Sequence, residues 1–115
     1  MATLMSKDRN QVLLPELRVA SSFWHRLVGL IGTQNLSSRQ ALWIERCHSI
    51  HTFFMSFSID CVFVSKDNKV VSIKENIHPY RITWRQKNAV AVVELPAGQA
   101  KALNFKIGEQ LYVGS

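Results

Sequence analysis

The sequence predicts a mainly β (α+β) domain, a small barrel-like or folded antiparallel/mixed sheet with two short helices. Three observations predict it. Short apolar runs rich in Val, Ile and Phe recur along the chain, as in Cys61–Val64, Val70–Ile73 and Ala89–Leu95. Polar or Pro/Gly turn signals separate them, notably Lys66–Lys69 and Pro96–Gly98. Extended helical periodicity is confined to one stretch near residue 25.

Taken in order, Val12–Leu14 and Leu17–Ala20 are β-prone and split by Pro15. A proline inside such a run points to an edge strand or a kinked connection, because it cannot donate to a ladder. After Ser21-Ser22, the residues Phe23, Trp24, Leu27, Val28, Leu30 and Ile31 recur at helical spacing. An amphipathic helix is therefore expected over Ser22–Ile31, with Trp24 and Leu27 against a sheet. Ala41–Ile44 reads as a short strand, and Ile50–Phe54 follows a polar break. Cys61–Val64 is continuous, as in a strand covered on both faces. Lys66–Lys69 joins it to Val70–Ile73 as a hairpin. Ala89–Leu95 is a strong strand ended by Pro96, Gln99–Leu103 forms one or two helical turns, and Gln110–Val113 is a last strand. Gly98 and Gly108 are expected to supply positive φ or close packing.

At 115 residues, one domain spanning 1–115 is expected, with residues 1–10 as a flexible lead-in. A hydrophobic content of 47% against 19% charged residues excludes a disordered tail or a coiled coil. The longest apolar run, Ala89–Val93, is far short of a membrane-spanning helix, which needs about 20 residues. Met1–Asn10 carries Lys7, Asp8 and Arg9 and no apolar signal core, so a cytoplasmic location is expected. Fourteen Lys+Arg against eight Asp+Glu give a formal charge of +6, compatible with an anionic partner. Two cysteines, Cys47 and Cys61, are too few for a four-cysteine zinc site, and whether they pair is open.

Three groups of residues could carry chemistry. If Cys47–Met55 is extended, Cys47, Ser49, His51, Phe53 and Met55 share a face. Cys47, His51 and Met55 then form a row of soft ligands suited to copper(I), with Cys61 as a possible fourth. The same residues are ordinary core formers, and that role is preferred. A thiol nucleophile at Cys47 or Cys61, with His48 or His51 as base, needs a geometry that strand neighbours do not provide. Asp60 and Glu94 are carboxylates inside apolar runs, so each needs partners. Asp60 is expected to anchor the bend after Phe53–Phe57 by accepting backbone N–H groups, and Glu94 to pair with Arg81 or Arg85. Arg81, Trp84, Arg85 and Lys87 place three cations around one aromatic platform, a pattern used for unpaired bases. No phosphate-cradling glycine loop is present.

The ordered set Cys47–Met55, Ile59–Val64, Val92–Gly98 and Ile107–Leu111 closely resembles the domain of unknown function 192 family of bacteria and archaea. That family's pattern has a His/Thr/Met segment, an Asp opening a strand, a Glu-x-x-x-Gly before a short helix and a final Gly-Asp. An earlier Gly-Leu-Met corresponds to Gly29-Leu30-Ile31, so Ile31 replaces the usual Met, and Glu109 replaces the final Asp. The resemblance covers about residues 15–113 and implies a small, mostly β, barrel-like fold with short helices. It implies no catalytic activity.

The expected function is a non-catalytic binding or accessory domain, with no catalytic residue and no cofactor. Its ligand, a small molecule or a protein, is expected near His51, Met55, Asp60 and Glu94. One alternative is single-stranded nucleic-acid binding through Arg81, Trp84, Arg85 and Lys87; the other is the soft-metal row at Cys47, His51 and Met55.

Overall fold

Seven strands hydrogen-bond into a single mixed sheet in a computed structural model that describes residues 2–20, 36–50, 52 and 56–114. They are β1 (Ala2–Ser6), β2 (Gln11–Ala20), β3 (Gln40–Glu45), β4 (Ile59–Val64), β5 (Val70–Ile77), β6 (Ala91–Pro96) and β7 (Leu111–Gly114). One short helix, α1 (Gln99–Ala102), sits between β6 and β7. The order across the sheet is β5-β4-β6-β3-β2-β1-β7. Only β2 and β3 pair in parallel; the other neighbours are antiparallel. The helix expected over Ser22–Ile31, with its Trp24 and Leu27, lies outside the described residues.

The chain is mainly β, as its apolar runs predict. The sheet curls until its two edge strands approach at one end, where Lys69 bridges Gln110 and Leu111 N–H donates to the Asn68 carbonyl at 2.9 Å. It does not close into a barrel, since β5 and β7 do not pair along their length. The hairpin at Lys66–Lys69 forms as expected: Asn68 takes φ 61°, and Ser65 Oγ accepts N–H bonds from Asp67 and Lys69.

Both faces of the central strands are covered. In β4, Val62 and Val64 belong to one apolar cluster, while Ile59, Cys61 and Phe63 belong to a second. In β6, Ala91, Val93 and Leu95 belong to the first and Val92 to the second. The period of two therefore assigns every residue of these strands to a face. The buried Ala100 of α1 joins the first cluster, closing one end of the curl.

Two local expectations are corrected. Residues 2–6, read as part of a flexible lead-in, form a strand paired on one side with β2 and on the other with β7. Its anchor is charged: Glu109 Oε2 accepts from Ser6 Oγ at 2.6 Å and from Arg9 Nε at 2.7 Å, and Arg9 also donates to the Leu103 carbonyl at 2.9 Å. These bonds close about a hundred residues of chain and explain why Glu109, at the family's Asp position, is buried. Pro15 does not mark an edge. It lies inside β2, between β1 and β3. Pairing to β1 is irregular between Leu14 and Leu17, and pairing to β3 begins only at Glu16, so the missing N–H breaks no bond of either ladder.

Candidate functional site

Of the four residues expected to share a pocket, the structure describes Asp60 and Glu94; His51 and Met55 lie outside the described residues. Asp60 and Glu94 do not converge. In the β4–β6 ladder Asp60 stands opposite Leu95, and Cys61 stands opposite Glu94. Asp60 therefore faces the first apolar cluster and Glu94 the second, on opposite sides of the sheet.

Asp60 is fully buried and saturated by backbone donors. Its Oδ1 accepts from Asn76 N–H at 2.8 Å, and its Oδ2 accepts from Gly98 at 2.9 Å and Ala100 at 3.0 Å. The β4–β5 register shows why Asn76 needs it: one residue separates Ile59 from Cys61, but two separate Lys74 from Ile77. The extra residue is a bulge, Asn76 takes φ 53°, and its N–H leaves the ladder. Gly98, at φ 94°, supplies the turn into α1. Asp60 is thus an anchor, and among the described residues the donors it holds belong to segments distant in sequence; residues 53–55 of the bend it is expected to anchor lie outside the described residues. A depression of about 620 Å³ lies beside it, bordered by Glu75, Gly98 and Lys101.

Glu94 is buried among apolar side chains, and its Oε1 has no hydrogen-bond partner among the described residues. The expected ion pair with Arg81 or Arg85 does not form, because Glu94 sits inside β6 while both arginines are exposed. Burial pushes its carboxyl up to about 8, so it is protonated at neutral pH. Across the ladder, burial, and then the neighbouring Glu94, Cys47 and Asp60, hold the Cys61 thiol well above its ordinary range. A nucleophilic cysteine requires the opposite shift. Cys47 donates its thiol to the Ser49 carbonyl at 2.9 Å, and it is the only member of the Cys47, His51 and Met55 row that the structure describes. No group of three His, Cys, Asp or Glu side chains capable of holding a metal occurs among the described residues.

The basic segment has a built geometry. Residues 48, 50 and 52 bond in antiparallel order to residues 80–86: Gln86 N–H donates to the His48 carbonyl at 2.8 Å, Thr83 to Ile50 at 2.9 Å, and Thr52 to Arg81 at 2.8 Å. Thr52 is the clamp. Its buried hydroxyl donates to the His78 carbonyl at 2.6 Å and accepts from Arg81 N–H at 2.8 Å, while its carbonyl accepts from Tyr80 N–H at 3.0 Å. Tyr80 is thereby held at φ 64°, a conformation uncommon for a bulky side chain. At the other end Gln86 accepts from Ser72 Oγ of β5 and donates to the Trp84 carbonyl, each at 2.6 Å.

The pinned segment carries exposed apolar residues. Trp84 is 88% exposed, Ile82 65% and Tyr80 60%. Arg81, Arg85 and Lys87 are exposed among them, and Lys74 of β5 is exposed nearby. Between β5 and this segment lies a groove of about 460 Å³, bordered by Lys74, Asn76, Arg81, Thr83, Trp84 and Gln86. The sequence names Arg81, Trp84, Arg85 and Lys87 without help. Thr52, Ser72 and Gln86 are missed, because their roles are hydrogen bonds across 14 to 29 residues of chain. Replacing Thr52 by Val keeps the shape and removes the hydroxyl. Thr52→Val is expected to lower stability by about 1–3 kcal/mol and to speed tryptic cleavage after Arg81, Arg85 and Lys87. Unchanged urea unfolding and unchanged cleavage would deny the clamp.

Among the described residues no helix is long and apolar enough to cross a membrane. Comparison with known proteins agrees with the architecture. A UPF0127 protein of Thermococcus sibiricus is 30% identical over 112 residues, which cover 94% of this chain and 72% of that protein. The UPF0127 protein PH1112 of Pyrococcus horikoshii is 29% identical over 114 residues, covering 94% of this chain and 96% of its own. Among solved structures, a Novosphingobium aromaticivorans protein superposes with a TM-score of 0.82 at 20% identity, covering 96% of this chain and 82% of that one. A Sinorhizobium meliloti protein, which carries a provisional transcription-regulator designation, superposes at 0.80 with 19% identity, covering 97% of this chain and 91% of that one. At those identities the two structures share the fold, and the fold alone does not assign an activity. Residues 3–113, from β1 to β7, match the domain of unknown function 192 family, described as Uncharacterized ACR, and the chain belongs to that family.

Proposed function

We propose that the chain is a non-catalytic binding domain whose ligand docks on residues 78–87 and the facing side of β5. The observation that carries this reading is Trp84, 88% exposed on a segment fixed at both ends by hydrogen bonds. Large aromatic side chains held rigidly in water lose little conformational freedom on binding and contribute much contact area. Lys74 and Arg81 border the same groove, and Arg85 and Lys87 are exposed just after Trp84 in the chain, which gives the surface a preference for anions. His51 and Met55 lie outside the described residues and carry no part of this reading. Asp60 and Glu94 are assigned to the framework instead. A non-catalytic role accords with the described titratable groups: Asp60 is saturated by backbone donors, Glu94 is neutral and enclosed, and the Cys61 thiol is protonated.

Saturation-transfer NMR with adenosine monophosphate, indole-3-acetate and benzoate tests the reading. Transfer to the aromatic anions is expected in the wild type and in Lys101→Ala, which alters the depression beside Asp60, and is expected to be lost in Trp84→Ala. Transfer that persists in Trp84→Ala and disappears in Lys101→Ala would move the site to that depression and overturn the proposal.

A further inference from the structure

Resting on that reading of the surface, we infer that the ligand is a single-stranded nucleic acid, whose bases stack on Trp84 and Tyr80 while its phosphates lie along Arg81, Arg85 and Lys87. The backbone pattern of residues 80–84 orders these groups. Arg81 bonds residue 52 through both N–H and carbonyl when Thr52 Oγ is included, and Thr83 bonds Ile50 in the same direction. Arg81 and Thr83 are thus tied to residues 52 and 50, and the exposed Tyr80, Ile82 and Trp84 are interleaved with them and with Arg85 along the chain. The two aromatic platforms, Tyr80 and Trp84, stand four residues apart in the chain, and each is followed at once by an arginine, Arg81 or Arg85. An unpaired strand offers the matching order, with flat bases on one side and charge on the other.

The groove beside Trp84 argues for a nucleic acid over the other anionic partners. Its border includes the side chains of Asn76, Thr83 and Gln86, together with Lys74 and Arg81. Such groups serve the polar edges of bases. A lipid bilayer takes apolar tips and cations and has no use for a concave polar wall. An acidic peptide supplies charge without flat faces to stack on Trp84. Among the described residues Glu75 is the only carboxylate bordering the groove, set against Lys74 and Arg81 there and a net charge of +6 for the chain. A duplex fits less well, because its bases are already stacked on one another and offer Trp84 and Tyr80 no free faces. The groove borders Asn76, whose bulge Asp60 stabilises, so the framework carboxylate also shapes this site.

Fluorescence anisotropy with a labelled twelve-nucleotide thymidylate strand and the full chain tests the inference. The wild type is expected to bind, and to bind a twelve-base-pair duplex more weakly. Trp84→Ala should weaken single-strand binding by about fivefold or more, the range for loss of one stacked base. Arg81→Gln and Arg85→Gln should each flatten the dependence of log affinity on log salt by about 0.7, one phosphate contact each. Both arginines and Trp84 are exposed, and unchanged circular dichroism and melting of the variants confirm that the fold is intact. Attraction by net charge alone would lose affinity in the arginine variants but keep it in Trp84→Ala, and that result overturns the inference. Equal affinity for duplex overturns it too. If the oligonucleotide fails while phosphatidylserine vesicles or a poly-glutamate peptide bind through Trp84, the nucleic-acid assignment is wrong and the surface stands. Failure of these ligands together with loss of the small-anion signals removes both.

Discussion

Glu94→Gln should remove the fall in stability that burial of this carboxyl imposes between about pH 4.5 and about 8. The Glu94 carboxyl rises from an ordinary 4.5 to about 8 through burial. Within that window the unfolded chain ionises the group while the folded chain keeps it neutral. The unfolded state then binds fewer protons, so stability falls as pH rises, by about 1.4 kcal/mol per pH unit. Below the window both states hold the proton and the residue carries no such penalty. Above it both are ionised, and the accumulated cost stays at roughly 4–5 kcal/mol. Gln carries no charge at any of these pH values. Whatever its amide costs inside the second apolar cluster is a constant offset. Urea unfolding of both proteins at pH 5, 6, 7 and 8 is expected to show the variant gaining on the wild type at each step. Parallel stability curves would mean that Glu94 is ionised and paired in the folded protein.

Asp60→Ala is expected to lower stability by about 3–5 kcal/mol. The carboxylate holds three backbone N–H groups that no ladder bond satisfies, at Asn76, Gly98 and Ala100. They lie 16, 38 and 40 residues further along the chain, so the loss releases the β5 bulge and the β6–α1 turn together. Each donor left dry costs more than a hydrogen bond is worth in water. Asp60→Asn keeps one acceptor oxygen and turns its amide N–H2 toward a donor, so about 1–3 kcal/mol is expected for it. The denaturation midpoint checks both values, and amide exchange at Gly98 and Ala100 should accelerate in step. An Asp60→Ala protein within about 0.5 kcal/mol of the wild type would remove the anchor from the account.

Where the sequence could be read, a local pattern coincided with the final structure. Cys61–Val64 and Ala91–Leu95 are unbroken apolar runs because both faces of β4 and β6 are covered. The hairpin between β4 and β5 announces itself through Asp67-Asn68. β1 escaped notice because it has only five residues and is followed at once by Lys7, Asp8 and Arg9, which look solvated until Glu109 arrives from the other end of the chain. The separation of Asp60 from Glu94 was equally hidden. Both are acids in apolar runs, and only the register of β4 against β6 decides that they face apart. The segment around Trp84 was visible as charge and aromaticity, yet its rigidity depends on Thr52 and Gln86, whose partners no local pattern reveals.

Amide chemical-shift mapping on the uniformly 15N-labelled chain tests the central claim, that residues 78–87 form the binding surface. Titration with adenosine monophosphate or the thymidylate strand should give saturable shifts at Tyr80–Lys87 and at Lys74–Ile77, with the Trp84 indole N–H among the largest. Shifts centred instead on Gly98 and Lys101, or on the Arg9–Glu109 end of the sheet, with residues 78–87 unmoved, would contradict it.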